Sequence, residues 1–350
     1  TDSSCPALLL EPLRTNLVSQ SEAFVDSSYW ATTALDIVAN DTTSPEGVDN
    51  ASFLRPTTAN SGHQMYKTFS MSAGTNTLSV FLKAGNYSKF RLYFYDGTTA
   101  HEVYGDCSDG SIHSTNSTTS VEDYGNGWYR YSVTATNNSY GAGNFTIRAV
   151  DDSYQDVWVA NGTDGFYIYG WQFEAGSYPT SYIPTYGSSV SRVDDTCNTL
   201  NVEELIGQTE GTIFYQGLVE KATGNDGHAI AFTQDGDGNG SSRFLLYRSN
   251  STGNMKVYFQ NSSGVAFGQA TLPIPTSSND KYAIAYSVND LAIYVNGVLE
   301  HTQSVGVIPT TKFVNINRWT GNIKHKNECR NVLLFKTRLS NEELAALTTI

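Results

Sequence analysis

In Arg91-Leu92-Tyr93-Phe94-Tyr95 every second side chain is aliphatic or phenyl, and short runs with the same period recur along the whole chain. A period of two sends alternate side chains to opposite faces of a strand, whereas a helix face repeats every 3.6 residues. Runs at residues 77–83, 90–95, 128–136 and 166–173 are separated by clusters of Gly, Asn, Asp and Ser, the residues that turn a chain between strands. Further on, residues 211–220, 229–233, 244–248, 255–260, 282–288 and 332–336 repeat that grammar. The pattern predicts an all-β fold of two tandem antiparallel β-sandwiches. Composition agrees: aromatics reach 12% with 22 Tyr, and charged residues make up only 16% of the 350 positions, against about 25% in an average soluble protein. Many Tyr and few charges suit half-buried strands better than surface helices.

Between the two sets of strands lie Pro179, Pro184, the run Gly187-Ser188-Ser189 and the acidic pair Asp194-Asp195. Such a stretch reads as a linker. The expected organisation is therefore a lead-in over residues 1–15, a first sandwich over 16–186, a linker over 187–201 and a second sandwich over 202–350. Two local signals are sharper. Asn296-Gly297 sits between apolar alternations and predicts a hairpin with a type I′ turn, which needs φ > 0 at both positions. Ser340-x-x-Glu343 ahead of Leu344 and Leu347 is a capping box and predicts a short closing helix. A similar Asn201-x-x-Glu204 ending before Gly207 predicts one helical turn at the entrance to the second half.

Lys and Arg number 21 and Asp and Glu 34, a net charge of −13. That field opposes phosphate backbones and anionic lipid, so neither nucleic acid nor membrane insertion is expected. The four cysteines, Cys5, Cys107, Cys197 and Cys329, form no CxxC pair. Cys5 and Cys197 flank the first sandwich and are expected to lie close together, while Cys107 and Cys329 are expected to be free thiols.

Catalytic signatures are missing. The histidines, His63, His101, His113, His228, His301 and His325, are scattered without an HExxH pair, and neither a GxSxG elbow nor a phosphate-binding loop occurs. No strand carries carboxylates at alternate positions, the arrangement in which an acid and a nucleophile share a cleft. Lys83-Ala84-Gly85-Asn86 resembles part of an alginate-lyase motif, but that family's Arg-x-Glu-x-Arg strand is absent. Asp235-Gly236-Asp237-Gly238-Asn239-Gly240 opens like a calcium loop, yet Leu246 stands where the bidentate Glu belongs. No catalytic residue, metal ligand or cofactor is expected, with a structural calcium as the alternative at that loop.

Three long segments resemble structural fibre and spike proteins of tailed bacteriophages. They are Leu8-Leu9-Leu10-Glu11-Pro12-Leu13-Arg14-Thr15-Asn16-Leu17, Gly127-Trp128-Tyr129-Arg130-Tyr131-Ser132-Val133, and Gly170-Trp171-Gln172-Phe173-Glu174-Ala175-Gly176-Ser177-Tyr178-Pro179-Thr180-Ser181-Tyr182-Ile183-Pro184-Thr185. The second half, from Leu205 to Leu344, resembles a concanavalin A/laminin-G-like sandwich. The resemblance implies a carbohydrate-binding-module-like jelly roll followed by that sandwich, on a virion fibre assembled in the bacterial host cytoplasm. It implies a homotrimer, other virion proteins as neighbours and a host-surface polysaccharide or glycan as ligand. A purely structural fibre without ligand is the first alternative, and a polysaccharide depolymerase or lyase is the second.

Strand alternation nominates the ligand-facing residues. Arg91, Tyr93 and Tyr95 share one face of their strand, Lys256, Tyr258 and Gln260 share another, and Asn315, Asn317 and Trp319 share a third. Arg and Tyr stripes of this kind stack on sugar rings while donating hydrogen bonds. Trp128 and Trp171 fall inside the resembling segments and are expected in the core.

Overall fold

The computed structural model describes residues 7–71, 73–137, 141–195, 197–200, 202–220, 226–234, 242–263, 266–316 and 325–350. They divide into two compact units. One is Arg14–Arg192, and the other joins the segment ending at Leu13 to Val193–Ile350.

Among the described residues the Arg14–Arg192 unit holds two six-stranded antiparallel sheets. In the first, neighbours follow the order Ser111–Thr115, Ala100–Asp106, Lys89–Tyr95, Gly141–Ala149, His63–Met71, Ala31–Thr33. In the second they follow Thr118–Gly125, Trp128–Asn137, Gly74–Ala84, Phe166–Ala175, Asp49–Pro56, Leu35–Thr43. The two-residue period decides which side chains meet: Phe90, Leu92 and Phe94 from one sheet share a dry core with Leu78, Val80, Leu82 and Val133 from the other. Each such burial contributes about 1.5–3 kcal/mol. Trp171 joins this core and Trp128 is buried in a smaller cluster with Phe81 and Tyr169, as expected of both. A bulge at Gly170, whose φ is +61°, shifts the register between Tyr169 and Gln172. A Cβ there would lie 2.9 Å from the Phe81 ring, so only glycine fits.

The segments that resemble fibre proteins meet in one buried polar network. Glu174 accepts hydrogen bonds from the Gln172 side-chain amide (2.6 Å), the Thr180 backbone N–H (2.9 Å) and the Thr180 hydroxyl (2.7 Å). Arg130 donates to Thr180 O (2.7 Å) and Ser79 Oγ (3.0 Å), and Asn16 donates to Trp171 O and Ile183 O. These side chains fold the chain from residue 174 to 185 back across the sandwich. Their role is to hold the fold together.

The other unit is a second pair of six-stranded antiparallel sheets among the described residues. One sheet follows Leu8–Leu10, Asn327–Phe335, Gly211–Val219, Lys281–Ser287, Asp290–Val295, Val298–Gln303, and the other Cys197–Leu200, Phe313–Ile316, Gly227–Thr233, Arg243–Arg248, Met255–Gln260, Ala266–Thr271. Ile213, Tyr215 and Ile284 from the first sheet pack against Phe232, Phe244 and Val257 from the second. Asn296 (φ +51°) and Gly297 (φ +85°) make the expected two-residue hairpin turn. The helix Asn341–Thr348 starts at the expected capping box: Ser340 N–H donates to Glu343 Oε2 (2.7 Å), and Glu343 N–H donates to Ser340 Oγ (3.3 Å). Val202 O accepts from the N–H groups of Leu205 and Ile206, the one helical turn expected there, while Asn201 lies outside the described residues.

The chain is partitioned differently from the sequence reading. Residues 8–10, expected in a lead-in, form an edge strand on Asn327–Phe335, and Glu11 and Asp195 bond each other, so the second sandwich begins before the first. The expected linker over 187–201 contains two strands, Val190–Arg192 paired with Arg14–Asn16, and Cys197–Leu200 paired with Phe313–Ile316. Both pairings join residues far apart in sequence, where no local period announces them. The pairing of Arg14–Asn16 with Val190–Arg192 brings the two ends of the first sandwich together. Cys5 lies outside the described residues, and Cys107, Cys197 and Cys329 are free thiols.

Candidate functional site

The outer face of the Lys89–Tyr95 sheet carries the first nominated stripe. Register sets Arg91 opposite Tyr104 and Arg148, and Tyr93 opposite Glu102 and Thr146, so these side chains share the face away from the core. Arg91 stacks over the rings of Tyr93 (4.5 Å to the centroid) and Tyr104 (5.3 Å). Its guanidinium is held by two carboxylates: Nε donates to Glu102 Oε2 (2.7 Å), and Nη1 donates to Asp156 Oδ2 (2.5 Å). Arg148 also pairs with Asp156 (2.6 Å) and donates to Gln64. Two guanidiniums thus face two carboxylates, and the cluster is neutral. Arg91, which sequence nominated as a ligand contact, is locked in place and positions the tyrosines.

Asp156 arrives on the segment between the last two long strands. Trp158 anchors that segment by stacking on Tyr87 (centroids 5.3 Å apart) and packing edge-on against His63 (5.2 Å). The same segment carries Tyr154, whose ring lies on His113 and edge-on to Tyr104 (6.4 Å), with the Lys89 ammonium 5.4 Å from its centroid. Tyr93, Tyr104 and Tyr154 are half-buried and His113 is exposed. Partial burial raises the phenol pKa values of Tyr104 and Tyr154, so both hydroxyls stay protonated at neutral pH and available as donors. The result is a neutral surface of aromatic faces and hydroxyl edges. Such a surface can stack on the C–H face of a polyol ring and hydrogen-bond its hydroxyls.

Tyr95, the third member of the stripe, has its hydroxyl tied to the following turn, where it donates to Gly97 O (2.8 Å). Tyr104, Tyr154 and His113 were not nominated from sequence. Tyr104 was reachable through the alternation Glu102-Val103-Tyr104-Gly105, whereas Tyr154 sits in an irregular segment without a period.

The second stripe separates into two parts. Lys256 and Tyr258 line a groove of about 320 Å³ with Tyr247, Gln269 and Thr271. Gln260 is buried and accepts the Tyr258 hydroxyl (2.8 Å), so it positions Tyr258 and is closed to a ligand. Of the third stripe, Asn315, paired with Asn198 and Ala231 in the sheet, is buried at 3% exposure, which removes it as a surface contact. Asn317 and Trp319 lie outside the described residues, as does the Asp235–Gly240 loop.

Asp96, His101 and Ser117 form a row: Asp96 Oδ2 is 3.0 Å from His101 Nε2, and Ser117 Oγ is 3.5 Å from His101 Nδ1. Ser117 directs its hydrogen to Asn116 Oδ1 (2.9 Å), and 3.5 Å is the outer limit of a hydrogen bond. The row clasps a turn. It does not activate a nucleophile.

Fold and surface together define an all-β protein of two antiparallel sandwiches with a hydroxyl-rich aromatic face. No family model matches the sequence, and no curated protein matches it. Solved structures to which it is similar include the CBM40 module of a Ruminococcus gnavus IT-sialidase, with a TM-score of 0.33 and 18% identity over 41% of this chain and 84% of that one. The same module bound to alpha2,3 sialyllactose gives a TM-score of 0.32 and 15% identity over 44% of this chain and 96% of that one. The receptor binding domain of a botulinum neurotoxin C/D mosaic serotype gives 0.35 and 14% identity over 44% of this chain and 40% of that one. Overlap of this extent assigns neither ligand nor activity to this chain.

Proposed function

We propose that this chain is a non-enzymatic, glycan-binding segment of a tailed-bacteriophage fibre or spike, displayed on the virion surface and used for host attachment. The observation that carries glycan binding is the Tyr93, Tyr104, Tyr154 and His113 surface, preset by the mutually neutralised Arg91, Arg148, Glu102 and Asp156. Uncharged sugar rings match it: aromatic faces meet their C–H groups and protonated phenols meet their hydroxyls. A preset surface also spares the ligand part of the ordering cost of binding.

The virion assignment rests on the three resembling segments. In this reading the first sandwich is a carbohydrate-binding-module-like jelly roll and the second a concanavalin A/laminin-G-like domain. The buried free thiols Cys107 and Cys329 fit assembly in a reducing bacterial cytoplasm. A homotrimer holding three weak sites gains about 10²-fold or more in avidity on a dense host glycan. Other virion proteins are its neighbours, and no cofactor is required. A glycan array combined with reducing-end and unsaturated-sugar assays tests the reading. Specific binding without cleavage supports it. Turnover of any polysaccharide, or no binding at all, overturns it in favour of a depolymerase or a purely structural fibre.

A further inference from the structure

We propose that the groove on the second sandwich is a separate subsite for a sugar ring bearing an anionic group, with Lys256 as its charge contact. This rests on the glycan-binding reading of the chain but uses none of the residues of the first sandwich.

Pairing places the groove's residues on one face. Tyr247 and Thr271 both lie opposite Lys256, on either side of it, and Gln269 lies opposite Tyr258. The volume of this open groove, about 320 Å³, falls at the small end of the range for ligand clefts, about 300–1,000 Å³. Val257 and Ala270 also line it, and the rest of the lining is polar, with two phenols, an amide, a hydroxyl and one ammonium. The Tyr258 ring is fixed by the bond from its hydroxyl to Gln260 and by Arg243, whose guanidinium carbon lies 5.5 Å from the ring centroid.

Other cations of the second sandwich are engaged, Arg243 by the Tyr258 ring among them. Arg248 donates to Val219 O and Gly253 O, Lys281 donates to Thr349 O, and Arg338 pairs with Asp290. Burial and then the Asp226 carboxylate raise the Tyr247 phenol, and Asp226 Oδ1 accepts the Asn250 N–H (2.8 Å) without an ion pair to Lys256. Lys256 is half-buried, and among the described residues no hydrogen bond or ion pair holds it. An ammonium with no partner of its own can give an anion in the groove a charge-assisted hydrogen bond. The contrast with the first sandwich is one of charge: there two carboxylates already neutralise the arginines, and here the cation is left for the ligand. In a chain of net charge −13, an anionic sugar needs such a local contact to bind at all.

The test is isothermal titration of the full chain with oligogalacturonate, a sulfated galactan oligosaccharide and a neutral galactan oligosaccharide of equal length, at low and at physiological salt. The expected result is tighter binding of at least one anionic oligomer, weakened by salt, reduced about tenfold in Lys256→Gln and kept in Lys256→Arg. The two anionic arms distinguish a carboxylate from a sulfate ester. Equal affinity of wild type and Lys256→Gln, or no anionic oligomer bound more tightly than the neutral one, overturns the proposal. Loss of binding in both Lys256 variants with an unchanged melting temperature also counts against it, because the charge is then not what the site reads. Neutral-oligomer binding in the same titrations reports on the first sandwich, so failure of that reading is seen separately.

Discussion

Tyr154 lies flat on His113, with ring centroids 3.8 Å apart and planes within 7°, although its backbone is held at φ +61°. A bulky residue in that region costs about 1–2 kcal/mol. Asp151 maintains it: its O accepts the Tyr154 N–H (2.9 Å), and its Oδ1 accepts the N–H groups of Ser153 (2.9 Å) and Gln155 (2.7 Å). Strain kept in this way concentrates at binding surfaces.

Tyr154→Gly separates the ring from the backbone. Glycine accepts φ > 0 without penalty, and that relief offsets the lost stacking, so the melting temperature is expected to stay within about 3 °C of wild type. Neutral-glycan affinity is expected to fall severalfold. A fall of about 8 °C or more in calorimetry would mean that the ring serves stability instead of binding.

Glu174→Ala tests the buried network behind the resembling segments. Removing the carboxylate takes the acceptor from the Thr180 N–H and hydroxyl and the ion-pair partner from Arg14, and leaves the Gln172 amide only its bond to Thr180 O (3.3 Å). The expected loss is about 2–4 kcal/mol, read by denaturant unfolding of the first sandwich. A loss below about 0.5 kcal/mol would show that the network is dispensable.

The second sandwich is expected to weaken in mild acid. Burial pushes His325 down to about 4 and His228 down to about 3, with nearby His325 and Arg243 adding repulsion at His228. The ordinary value is 6.5, so as pH falls the unfolded chain takes up protons first. Stability is full above that pH and is lost progressively towards the folded values. Melting temperature measured from about pH 7 to 5 should therefore fall, and His325→Gln should flatten the slope. A flat wild-type profile contradicts this.

Thiol reactivity follows burial. Cys107 is 1% exposed, and burial raises its thiol well above the ordinary value; burial, with Cys197 nearby, pushes Cys329 up to about 11. Alkylation of the native protein, mapped by mass spectrometry, should modify Cys197 before either of them. Labelling of Cys107 without denaturant contradicts the packing of the first sandwich.

What could be read from sequence was local. Asn296-Gly297 and Ser340-x-x-Glu343 encode their turn and cap within a few residues, and the alternation around Arg91 gave both its strand and its outward face. Leu8–Leu10 carries no sign of its partner, because an edge strand is defined by a pairing with the far end of the chain. The role of Arg91 was hidden for the same reason: whether a surface arginine meets a ligand or a carboxylate depends on Asp156, brought in by a non-periodic segment. Asn315 shows the opposite limit. Alternation assigns a face but cannot say whether that face is open.

Binding at the aromatic surface is tested most directly by a neutral-glycan array probed with the full chain and with Tyr104→Ala, alongside an assay for released reducing ends. Wild type is expected to bind a defined subset of glycans without cleaving them, and Tyr104→Ala to lose about five- to tenfold in affinity at an unchanged melting temperature. Equal binding by wild type and Tyr104→Ala, or reducing ends released from any glycan, would contradict it.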